Sequence, residues 1–469
     1  MHAQSKNFYS DSEAAARNKT LQSRLRILTG FVVKRDEAFA SLPDGEDLRD
    51  QARNIKAHSI ANLDRLLLQL EKNVNAAGGR VHWAVDGDQA CAIVLDLARA
   101  HGVNRVVKSK SMVTEEIELN EALERVGIEA IETDLGEYIV QLAQEKPSHI
   151  IAPAVHKSRV DIAELFADRI GGNGSSDPGE LTLLARRRLR EKFLSAGMGI
   201  TGANFAIAES GTIVLVENEG NIRLTTSLPR IHVAIVGIEK VIPRLTDLAV
   251  FLKILARSAS GQKMSSYVSL ITGPRRTSEA DGADEFHLIL LDNGRTKMLA
   301  DPEMREALYC LRCGACLNVC PVYQRIGGHA YGTVYPGPIG SVVTPELAGL
   351  AVAKDLPFAS SLCGACREVC PVRINIPHML LALRRNWSQQ SSSRLERAAM
   401  TLWSMTMRHP LLYRMAFKVA SIIGGPMSEE GWIKQMPLVF SGWTSNRDFP
   451  RIAPRSFRSR WRDLKESRR

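Results

Sequence analysis

The chain has 469 residues, 45% hydrophobic and 24% charged, a balance that excludes a disordered chain or a disulfide-held miniprotein and leaves room for two or three cores. No run approaches the roughly 18 uncharged apolar residues of a membrane helix, and the first residues, MHAQSKNFYS, carry no apolar leader, so a soluble, cytoplasmic protein with no integral membrane segment is expected. The net charge of +10 is local, because residues 384–469 hold 17 Lys and Arg against 6 Asp and Glu and leave 44 against 45 elsewhere, which speaks against nucleic acid as a partner.

After an N-terminal segment, 1–47, the first clear element is an amphipathic helix in which Leu63, Leu66, Leu67, Leu70 and Val74 recur at helical spacing before Gly78-Gly79. Apolar, mostly β-branched runs then follow at 81–85, 103–107, 128–131 and 150–154. They alternate with helical stretches near 88–100, 114–125, 137–144 and 158–170. Strands alternating with helices of this length predict an α/β domain with a mainly parallel sheet covered on both faces. His149 and His156 flank the run at 150–154 and are expected as hydrogen-bonded structural residues.

The turn formers at 171–179 mark a loop, and a basic helix is expected over 181–196. Gly197-Met198-Gly199-Ile200-Thr201-Gly202 matches G-x-G-x-x-G, but a helix precedes it and a strand follows, the reverse of a dinucleotide site, so it predicts a flexible turn. The extended runs 205–208, 212–217 and 232–236 suggest a hairpin or meander at the far end of the sheet. At its first tip Glu209, Ser210, Gly211 and Thr212 combine a carboxylate, two hydroxyls and a glycine. They read either as a polar turn or as a loop binding an anion or other ligand. A helix near 244–257, a strand near 267–272 and a turn-rich link complete the α/β domain at 48–295, followed by a cysteine-rich domain at 296–383 and the basic tail at 384–469.

Seven of the eight cysteines fall in two windows. The first, Cys310-x2-Cys313-x2-Cys316-x3-Cys320-Pro321, has the spacing of a bacterial ferredoxin, in which three thiolates of a window bind one cube and the fourth binds its neighbour. The second, Cys363-x2-Cys366-x3-Cys370-Pro371, keeps that register but has Ser360 where the leading cysteine would stand. The crossing rule assigns Cys310, Cys313, Cys316 and Cys370 to one [4Fe–4S] cluster and Cys320, Cys363 and Cys366 to a second. The second is a [4Fe–4S] cluster with a non-thiolate fourth ligand or a [3Fe–4S] centre. Zinc is the bland alternative, but seven cysteines in this pattern do not divide into tetrahedral sites without recruiting His329 or His378. Cys91, in an apolar helical stretch, is expected to be buried and inert.

Between the windows, the Gly- and Tyr-rich stretch 327–340 either covers the clusters or merely spaces them. In the tail, which holds five of the six tryptophans, residues 402–423 form an amphipathic stretch expected to pack against its own domain, with a partner or a membrane surface as the alternative.

The segments VHWAVDG (81–87), ETDLGEYIVQLA (132–143), GITGANFAIAESGT (199–212), CLRCGACLNVCPVYQRIGGHAYGTVYPGPIG (310–340) and SSLCGACREVCPV (360–372) together resemble the lactate utilization protein B family. The resemblance implies a lactate-utilisation domain of the sugar-isomerase and CoA-transferase type, then a double-cluster module whose ligands correspond to the seven cysteines above. It further implies an electron-transfer role in an NAD-independent complex oxidising L-lactate to pyruvate, with companion subunits A and C and an electron acceptor. Nothing in spacing or charge points to a 2-hydroxy acid. The residues alone leave open a redox sensor or scaffold, or a subunit of another 2-hydroxy-acid or disulfide oxidoreductase.

Overall fold

The computed structural model describes residues 7–445 and 447–466. The chain divides into two compact units on either side of the Trp387–Ser388 bond. Among the described residues of the first, ten strands form two sheets: β1 (Arg80–Ala84), β2 (Arg105–Lys108), β3 (Glu129–Glu132), β4 (Met198–Thr201), β5 (Phe205–Ile207), β6 (Thr212–Glu217), β7 (Ile231–Gly237), β8 (Val241–Ile242), β9 (Tyr267–Ile271) and β10 (Glu285–Leu291). The larger sheet has the order β1-β10-β7-β4-β2-β3, and all its neighbours are parallel, as the α/β reading expects. A parallel sheet is covered on both faces, so its central strands are apolar without alternation, and every residue of β7 (IHVAIVG) is buried. The smaller sheet, β8-β5-β6-β9, is mixed, with β5 and β6 forming an antiparallel hairpin.

Several local expectations give way to this topology. The G-x-G-x-x-G segment is no turn: Met198–Thr201 is a fully buried strand between β2 and β7. Its Gly199 lets the helix Asn221–Ser227 sit directly on the sheet, since a Cβ there would lie 1.9 Å from the Thr225 carbonyl oxygen. The run at 150–154 is not a strand. The N–H groups of Ile151 and Ala152 donate to His149 Nδ1 (3.1 and 3.2 Å), so a side chain takes the place of a ladder partner. The run at 232–236 belongs to the main sheet as β7, not to a meander with β5 and β6. β10, hidden in sequence between the turn formers 281–282 and 292–294, is paired on both sides by β1 and β7.

Among the described residues five helices, Phe8–Arg17, Lys19–Leu25, Ile27–Ala40, Gly45–Ala61 and Leu63–Ala76, precede β1. Phe8, Leu25, Leu28, Leu48 and Ala52 share one hydrophobic core with Cys320, Cys366 and Cys370, so the start of the chain wraps the cysteine windows. The stretch 327–340 is in that same core through Ala330, Tyr331, Tyr335 and Ile339, which makes it a covering element rather than a spacer.

In the second unit the helices Arg394–Arg408 and Pro410–Gly424 bury no residue except Gly424. Leu402, Trp403, Leu411, Met415 and Ile422 are exposed, against the expectation of burial. Among the described residues no helix is long and apolar enough to cross a membrane.

Candidate metal centre

The two windows fold into the same local shape. Arg312 (φ 61°) and Gly314 (φ 76°) flank Cys313 in the left-handed region, and Leu362 (φ 57°) and Gly364 (φ 87°) do the same around Cys363. Each loop leads into a one-turn helix, Ala315–Asn318 and Ala365–Glu368, followed by Cys320 and Cys370. Alternating left-handed residues bend the chain tightly enough for successive thiols to converge, and glycine adopts that conformation without a Cβ clash. The likeness extends to the missing cysteine. Arg312 N–H donates to Cys310 Sγ at 3.4 Å, and Leu362 N–H donates to Ser360 Oγ at 3.1 Å. Ser360 therefore occupies the structural position of Cys310, with its hydroxyl turned the same way.

The thiols gather into two sets. Cys310, Cys313, Cys316 and Cys370 line a single cavity walled by apolar groups that include Ile150, Ile339, Val372 and Ile374. Burial pushes the thiols of Cys313 up to about 12 and of Cys370 up to about 11, and that of Cys316 well above its ordinary value. In each case the charge of Cys310 adds to the rise. Cys320, Cys363 and Cys366 act on one another: burial, then Cys320 and Cys363, raise Cys366 to about 12, and burial with Cys363 raises Cys320. Cys316 also feels Cys366, so the two sets adjoin.

This donor set suits iron–sulfur clusters. Buried thiols become thiolates only beside a strong cationic centre. A four-iron cube takes one thiolate at each corner, whereas one ion draws its ligands to a point, and among the described residues no three His, Cys, Asp or Glu side chains do the latter. Backbone N–H groups are already aimed at sulfur: Ile374 N–H donates to Cys370 Sγ at 3.4 Å, and those of Ala315, Val322 and Tyr323 favour charge on Cys313 and Cys320.

Three arginines of the N-terminal helices hold the second window. Arg49 donates to the carbonyl of Cys370 (2.9 Å) and to that of Glu368, Arg35 to Val369 (3.1 Å) and Arg53 to Arg373 (2.8 Å). The carbonyls of Glu368, Val369 and Cys370 lie at the C-terminal end of the short helix, where a guanidinium is favoured. The sheet domain reaches the first window through His149, whose Nε2 bonds Asn318 Oδ1 at 3.0 Å. Burial drives that imidazole down to about 3, so it is a neutral, structural histidine, as expected. His156 is likewise structural, paired with Glu145 at 2.7 Å. Tyr335 of the covering stretch donates to Glu116 Oε2 (2.6 Å), and Glu116 and Glu239 share the buried guanidinium of Arg295.

Glu209, Ser210, Gly211 and Thr212 lie at the closed end of the β5–β6 hairpin, with their polar atoms engaged within the protein. Leu245 N–H donates to Glu209 Oε2 (3.0 Å), Asn73 Nδ2 to the Glu209 carbonyl (2.9 Å), and Thr212 Oγ1 bonds Thr272 Oγ1 (2.6 Å). Cys91 is buried, its thiol raised by burial to about 11. A feature that the sequence reading lacked is a polar cavity at the opposite, open end of that hairpin, lined from both the sheet domain (Ser109, Lys110, Asn204, Lys240) and the first window (Leu311, Arg312). Its residues lie more than two hundred positions apart, so no local motif signals it.

Three family models match the chain: the LUD domain over residues 67–291, the 4Fe-4S dicluster domain over 306–374, and the C-terminal region of lactate utilisation protein B over 383–466. The chain is 46% identical to lactate utilization protein B of Shouchella clausii, over 93% of this chain and 91% of that one. It is 43% identical to the proteins of the same name from Bacillus thuringiensis and Bacillus anthracis, over 93% of each chain. A crystal structure of a DUF162 family protein from Deinococcus radiodurans aligns with 49% of this chain and 98% of its own, at 14% identity and a TM-score of 0.28.

Proposed function

Because the chain belongs to the lactate utilization protein B family, we propose that it is the iron–sulfur electron-transfer subunit of a complex oxidising L-lactate to pyruvate. Its part in lactate utilisation and its iron–sulfur character follow from membership and from the dicluster domain. The companion subunits A and C would bring lactate chemistry and the electron acceptor to it.

We assign Cys310, Cys313, Cys316 and Cys370 to one [4Fe–4S] cluster, and Cys320, Cys363 and Cys366 to a second with Ser360 at its fourth corner. The clusters, when bound, supply one-electron transfer. The chain's own residues hold the first of them apart from water and set the surroundings of both. Tyr323 and Tyr331, both fully buried, cover Cys320, and Ile150, Ile339 and Ile374 wall the first set. Arg49 ties the crossing cysteine, Cys370, to the N-terminal helices.

One observation carries this reading: thiols from both windows meet around one cavity, in the grouping that two neighbouring cubes require. Two adjoining centres favour passage of charge between them over isolated structural roles. The test is reduction of the complex, prepared without oxygen, by L-lactate. Visible absorbance of the clusters should bleach at the rate of pyruvate formation. A chain that carries its clusters but never bleaches with lactate would be a sensor or scaffold, and the reading would fall.

A further inference from the structure

From the polar cavity beside the first cysteine window, we infer that the sheet domain of this chain binds a small carboxylate, a 2-hydroxy or 2-oxo acid, next to the first cluster. The carboxylate is argued from the cavity alone, and the identity of the acid rests on the lactate reading above.

Place is the first argument. The cavity lies beyond the carboxyl ends of β2 and β4, lined by Ser109 to Val113 after β2 and by Gly202 to Asn204 after β4. These strands are neighbours, but the chain runs from β2 outward to β3, and from β4, through β5 and β6 of the smaller sheet, the other way to β7. Loops that diverge in this way leave a crevice, the usual ligand position of an open parallel sheet. Its volume of about 320 Å³ suits a small molecule.

Unused hydrogen-bonding capacity is the second. The acids on the wall are already engaged: Glu217 accepts from the N–H groups of Ile222 (2.8 Å) and Arg223 (3.1 Å), Glu219 from Leu135 (3.0 Å), and Asp134 from Glu137 (3.1 Å). The donors are not. Ser109, 1% exposed, has an Oγ with no partner, and the buried Lys110 Nζ and Arg312 Nη1 also lack a hydrogen bond. Lys110 Nζ makes a long ion pair with Glu137 Oε1 (3.6 Å), and the Arg312 guanidinium lies 4.3 Å over the Tyr335 ring, contacts that leave Lys110 Nζ and Arg312 Nη1 without a hydrogen-bond acceptor. Lys240, only 6% exposed, lines the same space. Buried donors without acceptors are costly unless something supplies the acceptor, and three cations with a hydroxyl are matched by a carboxylate and an adjacent oxygen. Met112, Val113 and Ile222 leave an apolar side for a short carbon chain.

The location adds a consequence. Leu311, Arg312 and Ile150 line both this cavity and the one that holds Cys310, Cys313, Cys316 and Cys370. An anion held by Arg312 therefore sits one residue layer from the first cluster and should perturb its spectrum.

The experiment is calorimetric titration of the full chain, prepared anaerobically with its clusters, using L-lactate, pyruvate, neutral lactamide and inorganic phosphate. Saturable binding of lactate or pyruvate, with none of lactamide, is expected. So is a shift in the paramagnetic resonance of the reduced first cluster when the acid is added. Lys240→Met and, separately, Lys110→Met should weaken binding at least about tenfold. Ser109→Ala, the mildest change, should weaken it less while leaving iron content intact. Absence of binding to the cluster-loaded chain, affinities unchanged in all three variants, or binding of phosphate in preference to both acids overturns the inference. Lactate-driven bleaching retained at full rate in Lys110→Met and Lys240→Met complexes would overturn this site and leave the electron-transfer reading standing. Pyruvate binding without any lactate-driven bleaching would do the reverse.

Discussion

The two cysteine windows have nearly the same backbone and different surroundings. Around the first, Gly314 faces His149 and Ile151 of the sheet domain, so close that a Cβ would stand 3.3 Å from His149 Cε1. Around the second, a Cβ on Gly364 would meet nothing within 4 Å, and Cys363 is exposed. Local conformation is thus duplicated while burial is not. The difference teaches that window spacing sets loop shape, whereas the domain packed against a loop decides how much solvent its metal site sees. A site with three thiols, a serine and an exposed edge is the one expected to exchange iron and lose it in air.

The strongest way to break this comparison is to remove a thiol from each set. Cys310→Ala, which leaves neither sulfur nor oxygen at that corner, should abolish the first cluster and lower iron and sulfide to roughly half after anaerobic reconstitution. Cys363→Ala should remove mainly the second. Unchanged iron in Cys310→Ala chains would refute the ligand assignment.

A smaller effect is expected where the N-terminal helices grip the second window. Arg49→Met keeps the stem of the side chain but takes its donor from the Glu368 carbonyl and leaves that of Cys370 with the Arg373 N–H alone, at a cost of about 1–3 kcal/mol, read by anaerobic denaturant unfolding. No loss of stability would mean that water replaces the guanidinium there.

The glycine pair sharpens the contrast directly. Both residues are left-handed, so alanine costs each about 1 kcal/mol through the backbone alone. Gly314→Ala must also displace His149 and should be the more damaging of the two by unfolding measurements. Equal losses would show that the packing of the first window contributes nothing.

Smallest in stability, though not in spectrum, is Ser360→Cys. Because Ser360 Oγ takes the Leu362 N–H as Cys310 Sγ takes that of Arg312, a thiol fits there without rearrangement. The second cluster should gain a fourth thiolate, and its resonance signal and survival in air should approach those of the first. A signal identical to that of the unaltered chain would show that the fourth iron has another ligand.

Much of this was legible in the residues themselves. Helices such as Leu63–Ala76 and Arg159–Ile170 follow from their apolar spacing and their turn signals, and β1, β2 and β3 from β-branched runs. The failures have a common cause. β4 and β10 are central strands buried by neighbours distant in sequence, and glycines or turn formers beside them hide the run. The run at 150–154 is apolar because it packs against the first window, as Ile150 and Ile151 do, and not because it pairs in a sheet. The helices at 394–424 carry an apolar face that periodicity reveals, but periodicity does not tell whether that face is covered.

By itself the sequence determined the spacing of seven thiols and the serine at 360, and from them the expectation that Cys370 crosses to the first set, because each depends on residues a few bonds apart or on one repeated loop. Only the tertiary structure decided that the N-terminal helices enclose those loops, that His149 and Tyr335 bind the sheet to them, and that cations with unused hydrogen-bond donors converge beside the first set. Burial and convergence arise from contacts between residues far apart in the chain, and the pattern of any one segment carries no record of its distant neighbours.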